Sequence, residues 1–382
     1  MKVIIVGAGI GGLTTHIVCK RAGFEVEHYE RQPELGPAGA GIVLWPNGTK
    51  ILLALGLGEG LERIGHRLEV VTTLTNEGKQ LSEVPVGELE QKLGAPVYPV
   101  SRTDLQALLL DAIDSSAFTL GAECVRVAND PSGPICSFAN GKSATGDVIV
   151  GADGIHSNIR SAIAGDVAPR YSEMANWVVI MPNGGLHRPH HGLEFVGEGK
   201  RCGVLPIAGD RLYVGFAARM AKGAQCPPEG RKAQLRELFG TWPAPIPDLI
   251  EALEEGGLKY LEIHDLPPLS RWSDGSITLL GDAAHATVPT LGQGGCQAME
   301  DAIWLPRCLG STTLGAEDAL RRYESKRRER AEFIVSSSRK KAESMHAMQP
   351  EVYTAYYAAM AASSVTATMH AQEQLLEEGP FG

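Results

Sequence analysis

The sequence of 382 residues lacks the features that mark several large classes of protein. It has no uninterrupted apolar run of the ~18 residues that a transmembrane helix needs. Its seven cysteines are scattered without a CxxC pair, a pattern that indicates neither a zinc site nor a disulfide framework and fits a reducing cytoplasm. With 35 basic and 45 acidic residues, its net charge of -10 opposes nucleic-acid binding. We therefore expect no membrane or nucleic-acid partner.

Two clusters of polar residues are interpreted as structural. Three histidines at 187–191 surround a proline, and no set of carboxylate or thiolate ligands accompanies them, so we expect an exposed loop rather than a metal site. The basic run at 321–330 alternates with glutamates, a pattern typical of the solvated face of a helix. Neither cluster predicts a functional site, and no bound metal is expected.

Glycine is in excess, with 45 residues in the chain, where an average usage of roughly 7% would give about 27. Residues 3–6 form a short apolar run, rich in β-branched side chains, that is typical of a strand buried on both faces of a parallel sheet. A helical pattern at 11–22 and an alternating pattern at 25–30 follow. The N-terminus is therefore predicted to be a βαβ unit.

A dinucleotide-binding fingerprint joins the first strand to this helix. The GxGxxG motif is formed by Gly7, Gly9, Gly11 and Gly12. The first glycine permits the tight turn, the second lets a pyrophosphate approach the backbone, and the third lets helix and strand pack closely. Glu30, at the end of the second strand, can accept hydrogen bonds from both hydroxyls of a ribose, which favours FAD or NAD over NADP.

Three separated apolar runs, at 3–6, 147–151 and 277–280, predict strands of one sheet. Between them, 68–80 and 177–218 alternate like antiparallel strands with glycine-rich turns. The predicted fold class is α/β, with a Rossmann-like dinucleotide-binding domain, an inserted and mostly antiparallel β-sheet domain that binds substrate, and C-terminal helices. The predicted boundaries are 1–67, 100–175 and 265–345 for the first domain, 68–99 and 176–264 for the sheet domain, and 346–382 for a C-terminal helical tail.

Two further motifs separate FAD from NAD. Residues 151–160 read GADGIHSNIR, and residues 280–295 contain LGDAAH followed by PTLGQGG. Together with the N-terminal fingerprint, they resemble the signatures of the single-component FAD-dependent aromatic hydroxylases, the para-hydroxybenzoate hydroxylase-like flavoprotein monooxygenases. Their order and separation also match, and the resemblance extends over nearly the whole chain. It implies that the first domain binds FAD.

The resemblance also implies which residues contact FAD. Asp282 is expected to bind the ribityl chain and Asp153 to support the pyrophosphate region, while the amides of a helix beginning in the GQGG segment stabilise negative charge on the reduced flavin. The segment 39–47 resembles a loop beside which the flavin moves. An ordinary surface arginine at Arg102 and a core valine at Val125 remain alternatives. The expected contacts are Gly7, Gly9, Gly11, Gly12, Glu30, Arg31, Val43, Arg102, Val125, Asp153, Asp282, Gly292, Gln293, Gly294, Gly295 and Cys296.

The second sheet contains a candidate substrate site. If residues 208–210 form a three-residue hairpin loop, Arg201 and Tyr213 lie on the same face of two neighbouring strands, beside small residues that leave room for a flat molecule. The arginine suits an anionic or enolate-like substrate, and the phenol can donate or accept a hydrogen bond. A two-residue loop would place the pair on opposite faces, and a surface arginine with a half-buried tyrosine is the alternative interpretation.

Within the family, the segments 195–201, 262–265 and 294–301 look most like the bacterial FAD-dependent urate hydroxylases. One position departs from that likeness, because Thr290 stands where those enzymes tend to carry an acid. The substrate-binding residues that the resemblance implies are Asn176, Arg201 and Tyr213, of which Arg201 and Tyr213 are also the expected catalytic residues.

The activity implied by the resemblance is that of an FAD-dependent aromatic monooxygenase. Such an enzyme uses NADH or NADPH and O2 to hydroxylate an electron-rich aromatic or heteroaromatic ring through a flavin C4a-hydroperoxide. Conversion of urate to 5-hydroxyisourate is the first candidate reaction, and hydroxylation of a salicylate, hydroxybenzoate or 6-hydroxynicotinate type of acid is the alternative. A flavin-binding protein without turnover is the non-enzymatic alternative. We expect a cytoplasmic monomer or homodimer.

Overall fold

The computed structural model describes residues 1–36, 40–311, 313–377 and 379–381. The strands are β1 (Lys2–Val6), β2 (Glu25–Tyr29), β3 (Gly41–Leu44), β4 (Val70–Thr75), β5 (Gln80–Val84), β6 (Tyr98–Ser101), β7 (Phe118–Thr119), β8 (Cys124–Ala128), β9 (Ile135–Phe138), β10 (Ser143–Thr145), β11 (Val148–Gly151), β12 (Arg170–Pro182), β13 (His191–Gly197), β14 (Lys200–Ile207), β15 (Arg211–Arg219), β16 (Lys259–Asp265), β17 (Ser273–Asp274) and β18 (Ile277–Leu279). The α-helices are α1 (Ile10–Arg21), α2 (Pro46–Ala54), α3 (Gly58–Ile64), α4 (Glu88–Leu93), α5 (Arg102–Leu110), α6 (Asn158–Ala164), α7 (Arg231–Phe239), α8 (Ile246–Ala252), α9 (Asp282–His285), α10 (Gly294–Leu309), α11 (Ala316–Met345), α12 (Pro350–Ala362) and α13 (Val365–Glu377).

The N-terminal strand is an interior strand of a six-stranded sheet with the order β17, β18, β11, β1, β2, β7. β1 pairs in parallel with β2 and β11, and β11 pairs in parallel with β18. Val3, Ile4 and Ile5 of β1 are fully buried, as the continuous apolar run predicts for a strand covered on both faces. The prediction that one sheet draws strands from three separated parts of the chain is confirmed, as is the α/β fold class.

A seven-stranded sheet with the order β16, β12, β15, β14, β13, β4, β5 forms the second unit. Its pairs are antiparallel except that of β13 with β4, which is parallel. Ile207 pairs with Arg211 across the turn between β14 and β15, so the predicted three-residue hairpin loop is confirmed. The register that follows decides which side chains of these two strands share a face.

One face of the seven-stranded sheet is a core beneath α7 and α8. Trp177 of β12 and Phe216 of β15 pack there in one cluster with Phe239 of α7 and Ile250 of α8. Because successive side chains of a strand point to opposite faces, the alternate residues of the same strands lie on the other side of the sheet. That other face carries the candidate substrate residues.

The C-terminal helices connect the two sheets. α11 packs on α10, whereas α12 and α13 lie against β5 at the edge of the seven-stranded sheet. Within the described ranges, no helix is both long and apolar enough to cross a membrane. The domain boundaries predicted from the sequence, including a separate tail from residue 346, stay predictions.

Two interpretations of polar clusters are wrong in part. The basic run lies on α11, but Arg327 is fully buried and Arg330 nearly so, because the helical repeat places both on the face that packs against acidic residues of α10. The histidine segment is not simply an exposed loop, because His187 and His191 are buried and the ring of His187 is bonded to the backbone oxygen of His191.

Candidate active site

Two cavities meet at the carboxyl ends of β1 and β11. The larger has a volume of about 790 Å³ and the smaller about 500 Å³. Both are lined by Gly9, Arg102, Ala152 and Gly154. The carboxyl ends of parallel strands are the usual binding crevice of an open α/β sheet. The joined cavity is therefore suited to an elongated ligand such as a dinucleotide.

The smaller cavity contains the acid predicted to bind a ribose. Glu30 follows β2, and its Oε2 accepts a hydrogen bond from the Ala8 amide at 2.7 Å while its Oε1 accepts one from the Gln32 amide at 2.9 Å. These bonds fix the carboxylate in the cavity wall, which Arg31 also lines. Each carboxylate oxygen can accept further hydrogen bonds, so the ribose hydroxyls can still bind Glu30.

Glycines line the junction of the two cavities. A Cβ atom built at Gly9 or Gly154 meets no atom within 4 Å, so these positions border open space that side chains would fill. A Cβ atom at Gly12 would instead collide with the backbone oxygen of Gly7. This cradle fits a pyrophosphate that approaches the backbone, and Arg102 at the start of α5 offers a positive charge at the same junction.

Asp153 holds the start of α6 against the smaller cavity. Its Oδ1 accepts a hydrogen bond from the Ser157 hydroxyl at 2.6 Å, and its Oδ2 accepts one from the Asn158 amide at 2.9 Å. Burial raises the pKa of Asp153, and the hydrogen bonds only partly oppose that effect. Its carboxylate is thus occupied by its own loop, and support of the pyrophosphate through that loop stays a prediction.

The larger cavity is lined by the segments predicted to contact the ribityl chain and the flavin ring. Asp282 lies just beyond β18, Val43 lies in β3, and Gly292, Gly294 and Gly295 stand at the start of α10. Because the first residues of α10 line the cavity, the unpaired amides at its start and the positive end of its dipole face that cavity. This arrangement suits the negative charge of a reduced flavin.

Three of the expected FAD contacts have their side chains outside both cavities. Gln293 is fully buried and accepts a hydrogen bond from the Asn47 side chain at 2.9 Å. Cys296 is also fully buried, in a core cluster behind the start of α10. The Val125 side chain is 52% exposed, although its neighbour Cys124 lines the smaller cavity. None of Gln293, Cys296 and Val125 lines either cavity, so their contact with FAD stays a prediction.

A buried ion-pair network, which the sequence interpretation missed, supports the segments that are predicted to bind the flavin. Asp301 of α10 accepts hydrogen bonds from the Gly281 amide at 2.9 Å and from the His285 ring at 2.7 Å. Arg327 of α11 donates to Asp301 and to Glu300, at 2.6 Å in both cases. Burial alone would raise the pKa of Asp301, but His285 and Arg327 hold it below its ordinary value. The network fixes the segment before Asp282 to α10 and α11.

The residues predicted to bind substrate line the opposite wall of the larger cavity. Ala217 of β15 pairs with Asn176 of β12 on one side and with Arg201 of β14 on the other. Tyr213 of β15 lies four residues before Ala217, an even number, so its side chain lies on the same face of the sheet. The structure thus brings the three predicted residues together. The Asn176 Oδ1 atom is buried without a hydrogen-bond partner in the part of the chain that the structure describes, as a ligand-binding group would be.

Arg201 and Tyr213 converge above a pair of glycines. Gly203 and Gly215 are directly paired between them. Arg201 Nη2 lies 3.9 Å from the position that a Cβ atom of Gly203 would take, and Tyr213 Oη lies 3.6 Å from that of Gly215. Burial raises the pKa of Tyr213, so its hydroxyl is protonated at neutral pH and can donate. The flat floor predicted from the glycines is present.

Two further charged residues of this wall were missed by the sequence interpretation. Glu194 of β13 is paired with Gly203, and its carboxylate accepts a hydrogen bond from Arg201 Nε. Lys341 of α11 lines the same cavity. Burial alone would raise the pKa of Glu194, but the charges of Arg201 and Lys341 hold it below its ordinary value. An acid within the apolar pattern of β13 was the available signal for Glu194.

The C-terminal helices also reach the site. Tyr356 and Met360 of α12 and Ala371 of α13 line the larger cavity. The segment predicted to border a moving flavin forms β3, which pairs with β6, while residue 39 lies outside the described residues. The predicted tail thus contributes to the wall of the candidate substrate site.

Comparison with known proteins agrees with this geometry. Residues 1–338 match the family described as FAD binding domain. The FAD-dependent urate hydroxylase of Klebsiella pneumoniae is 34% identical over 385 residues, which cover 100% of both chains. The 3-amino-4-hydroxybenzoate 2-monooxygenase of Streptomyces cremeus is 33% identical and covers 91% of this chain and 88% of its own.

A solved structure gives the same result. The crystal structure of Klebsiella pneumoniae HpxO complexed with FAD and uric acid is similar with a TM-score of 0.95 and 33% sequence identity, covering 100% of this chain and 98% of that one. The resemblance predicted from the three motifs is therefore confirmed, and so is the FAD-binding fold. The chain belongs to the FAD binding domain family.

Proposed function

We propose that the protein is an FAD-dependent monooxygenase that hydroxylates an electron-rich aromatic or heteroaromatic ring, with urate converted to 5-hydroxyisourate as the first candidate reaction. One observation carries this proposal. Arg201 and Tyr213 converge above a glycine floor in the same cavity that the FAD-binding segments line from the other side. A ring bound there would lie between the two walls.

The residues present fit FAD along its whole length. Glu30 would bind the ribose of the adenosine, the backbone at Gly9 and Gly154 would receive the pyrophosphate, and Asp282 would bind the ribityl chain. When bound, FAD supplies the redox chemistry, with NADH or NADPH as reductant and O2 as oxidant. The protein's own contribution is to bind, orient and shield the ring.

The substrate wall provides the groups for that contribution. The guanidinium of Arg201 favours the ionised, more nucleophilic form of the ring, and the Tyr213 hydroxyl donates a hydrogen bond to a ring oxygen. The unpartnered Asn176 Oδ1 accepts a hydrogen bond from a ring N–H, a group that urate has and a simple phenol lacks. The apolar neighbours Leu193 and Leu205 help exclude water.

A phenolic or N-heteroaromatic acid is the second candidate substrate. Thr290 lines the larger cavity and carries no charge there, so a substrate carboxylate would meet no repulsion at this point. A relative named for a reaction of 3-amino-4-hydroxybenzoate, which has such a carboxylate, agrees with this alternative.

Turnover with a panel of rings tests the proposal. The FAD-loaded protein is mixed with NADH or NADPH, O2 and one of urate, salicylate, 4-hydroxybenzoate or 6-hydroxynicotinate. We expect one ring to increase NAD(P)H oxidation and to yield one hydroxylated product per NAD(P)H consumed. NAD(P)H oxidation without a hydroxylated product from any ring would contradict monooxygenase activity, and a product from another ring but not from urate would favour the second candidate.

A further inference from the structure

Lys341 occupies an unusual place on α11. It follows Ser338 by three residues and precedes Met345 by four, and both of those residues are fully buried. This spacing puts Lys341 on the same face of the helix, toward the protein interior. Its side chain lines the larger cavity, on the wall that carries Arg201 and Glu194.

The charges around Lys341 leave one positive charge unbalanced. Glu194 and Arg201 form an ion pair with each other. The charges of Glu194 and Arg201 both shift the pKa of Lys341. Lys341 makes no hydrogen bond or ion pair with any residue in the described ranges. The other ionisable groups of this wall, Tyr213 and Tyr356, are neutral phenols whose pKa values burial raises. With Lys341 protonated, the substrate end of the cavity carries a net positive charge.

An unpaired ammonium in a protein interior is unfavourable, because burial removes its hydration. That desolvation lowers the pKa of Lys341, Arg201 lowers it further, and Glu194 only partly opposes both effects. The ion pair with Glu194 also restrains Arg201, whose Nε is engaged, so Arg201 presents the N–H groups of its Nη atoms to the ring while Glu194 offsets part of its charge. A ligand anion next to Lys341 would compensate the buried charge.

We propose that Lys341 is a substrate-binding residue and that the substrate is a ring with a negatively charged oxygen, which pairs with the Lys341 ammonium while Arg201 and Tyr213 hydrogen-bond to the ring. The proposal rests on the proposed function, because it assumes that the ring binds at this wall. The anionic oxygen belongs either to an ionised ring, as in urate, or to a carboxylate, as in 4-hydroxybenzoate. Both present the same chemistry to the ammonium.

Ligand binding to the oxidised holoenzyme tests this role without turnover. Binding is followed by the change in flavin absorbance at pH 7, with two matched pairs of probes: urate against the largely uncharged xanthine, and 4-hydroxybenzoate against the uncharged 4-hydroxybenzamide. The variants are Lys341→Met, Lys341→Gln and Lys341→Arg. Lys340→Met is the matched control, because Lys340 is exposed on the neighbouring position of the same helix. FAD content and the melting temperature are measured for each variant.

We expect the anion of at least one pair to bind wild type more tightly than its uncharged partner. Lys341→Met and Lys341→Gln should weaken that anion by about tenfold or more, as loss of a charged hydrogen bond does. Both should leave the uncharged partner nearly unchanged, and Lys341→Arg should restore much of the loss. The pair that responds identifies the source of the anionic oxygen.

Equal binding of the anion to wild type and to both neutral variants would overturn the role of Lys341, even if the wild type hydroxylates the ring. Equal weakening of charged and uncharged probes would overturn it too, because that result indicates a structural role. Failure of the proposed function is a different outcome, in which the anion binds through Lys341 but no ring is hydroxylated. The two failures are therefore distinguishable.

Discussion

At the end of the joined cavity that is predicted to bind FAD, the wall is formed largely by backbone and by single acids that follow strands. At the candidate substrate end, the wall carries side chains from four strands and one distant helix. Gly9 and Gly154 border open space at the first end. Arg201, Glu194 and Lys341 place their charges at the second. The FAD end should therefore be sensitive to added atoms, and the substrate end to removed charges.

Helix α11 connects the two ends of the cavity. The segment before Asp282 is held by Asp301, and Asp301 is bonded to Arg327 on α11, the same helix that carries Lys341. One helix thus supports the FAD end through a buried ion pair and supplies a charge to the substrate end. A change in that support should affect both ends, while changes in either wall should affect only one.

Replacement of Arg327 tests that support and has the largest expected effect. Arg327→Met leaves Glu300 and Asp301 without one cation in a fully buried site, and we expect the free energy of unfolding to fall by about 3–5 kcal/mol, together with loss of FAD. Urea unfolding of the holoenzyme measures it. Arg328→Met is the control, because Arg328 pairs with glutamates on a partly exposed face and should lose no more than about 1 kcal/mol. Equal losses of unfolding free energy in the two variants would mean that the buried network stabilises the fold no more than a partly exposed ion pair does.

A pair of glycine substitutions tests sensitivity to added atoms at the FAD end. Gly12→Ala would place a Cβ atom against the backbone oxygen of Gly7, and we expect a loss of about 1–3 kcal/mol in unfolding free energy. Gly9→Ala meets open space in the cradle, so its melting temperature without FAD should stay close to wild type while FAD binds more weakly. Unchanged FAD affinity in Gly9→Ala would place the pyrophosphate elsewhere.

Replacement of Arg201 tests sensitivity to removed charge at the substrate end. Arg201→Ala should lower kcat/KM by about 10-fold to 100-fold, the range expected for a charged hydrogen bond, while FAD content stays at the wild-type level. Arg211→Ala is the control, because Arg211 lies on the same hairpin but pairs with Asp104 outside the cavity. A parallel loss of FAD and activity in Arg201→Ala would show that the two ends are not separate.

An added methyl group on the glycine floor has the smallest expected effect. A Cβ atom at Gly203 would lie 3.9 Å from Arg201 Nη2, an ordinary contact, so Gly203→Ala should fold and bind FAD normally. It would occupy space below the ring, and we expect KM to rise by about fourfold, the equivalent of one displaced methylene contact. Steady-state kinetics measures the change, and an unaltered KM would remove the glycine pair from the substrate site.

The same contrast explains how much was predictable from the sequence. The residues at the FAD end are predictable from short contiguous motifs, because a glycine turn between a strand and a helix has the same local requirements wherever it occurs. The three-residue loop at 208–210 was equally local, and with the strand period it placed Arg201 and Tyr213 on one face.

What could not be predicted depends on packing between distant elements. Arg327 belongs to a run whose local charge alternation is typical of a solvated face, and its acids on α10 are 26 and 27 residues away. Lys341 reaches a cavity formed by strands more than a hundred residues earlier in the chain. The expected FAD contacts Gln293 and Cys296 followed from a motif, but the rotation of the first turn of α10 directs their side chains inward.

The most direct test of two separable ends is anaerobic reduction of the bound FAD by NADH, followed by stopped-flow absorbance with and without urate, in wild type and in Arg201→Ala. We predict that urate accelerates reduction in wild type, and that Arg201→Ala keeps its full FAD content and the slow rate without urate but responds weakly to urate. Loss of FAD from Arg201→Ala, or full acceleration by urate in that variant, would contradict the account. If the panel of rings identifies another substrate, the same measurement is made with that ring.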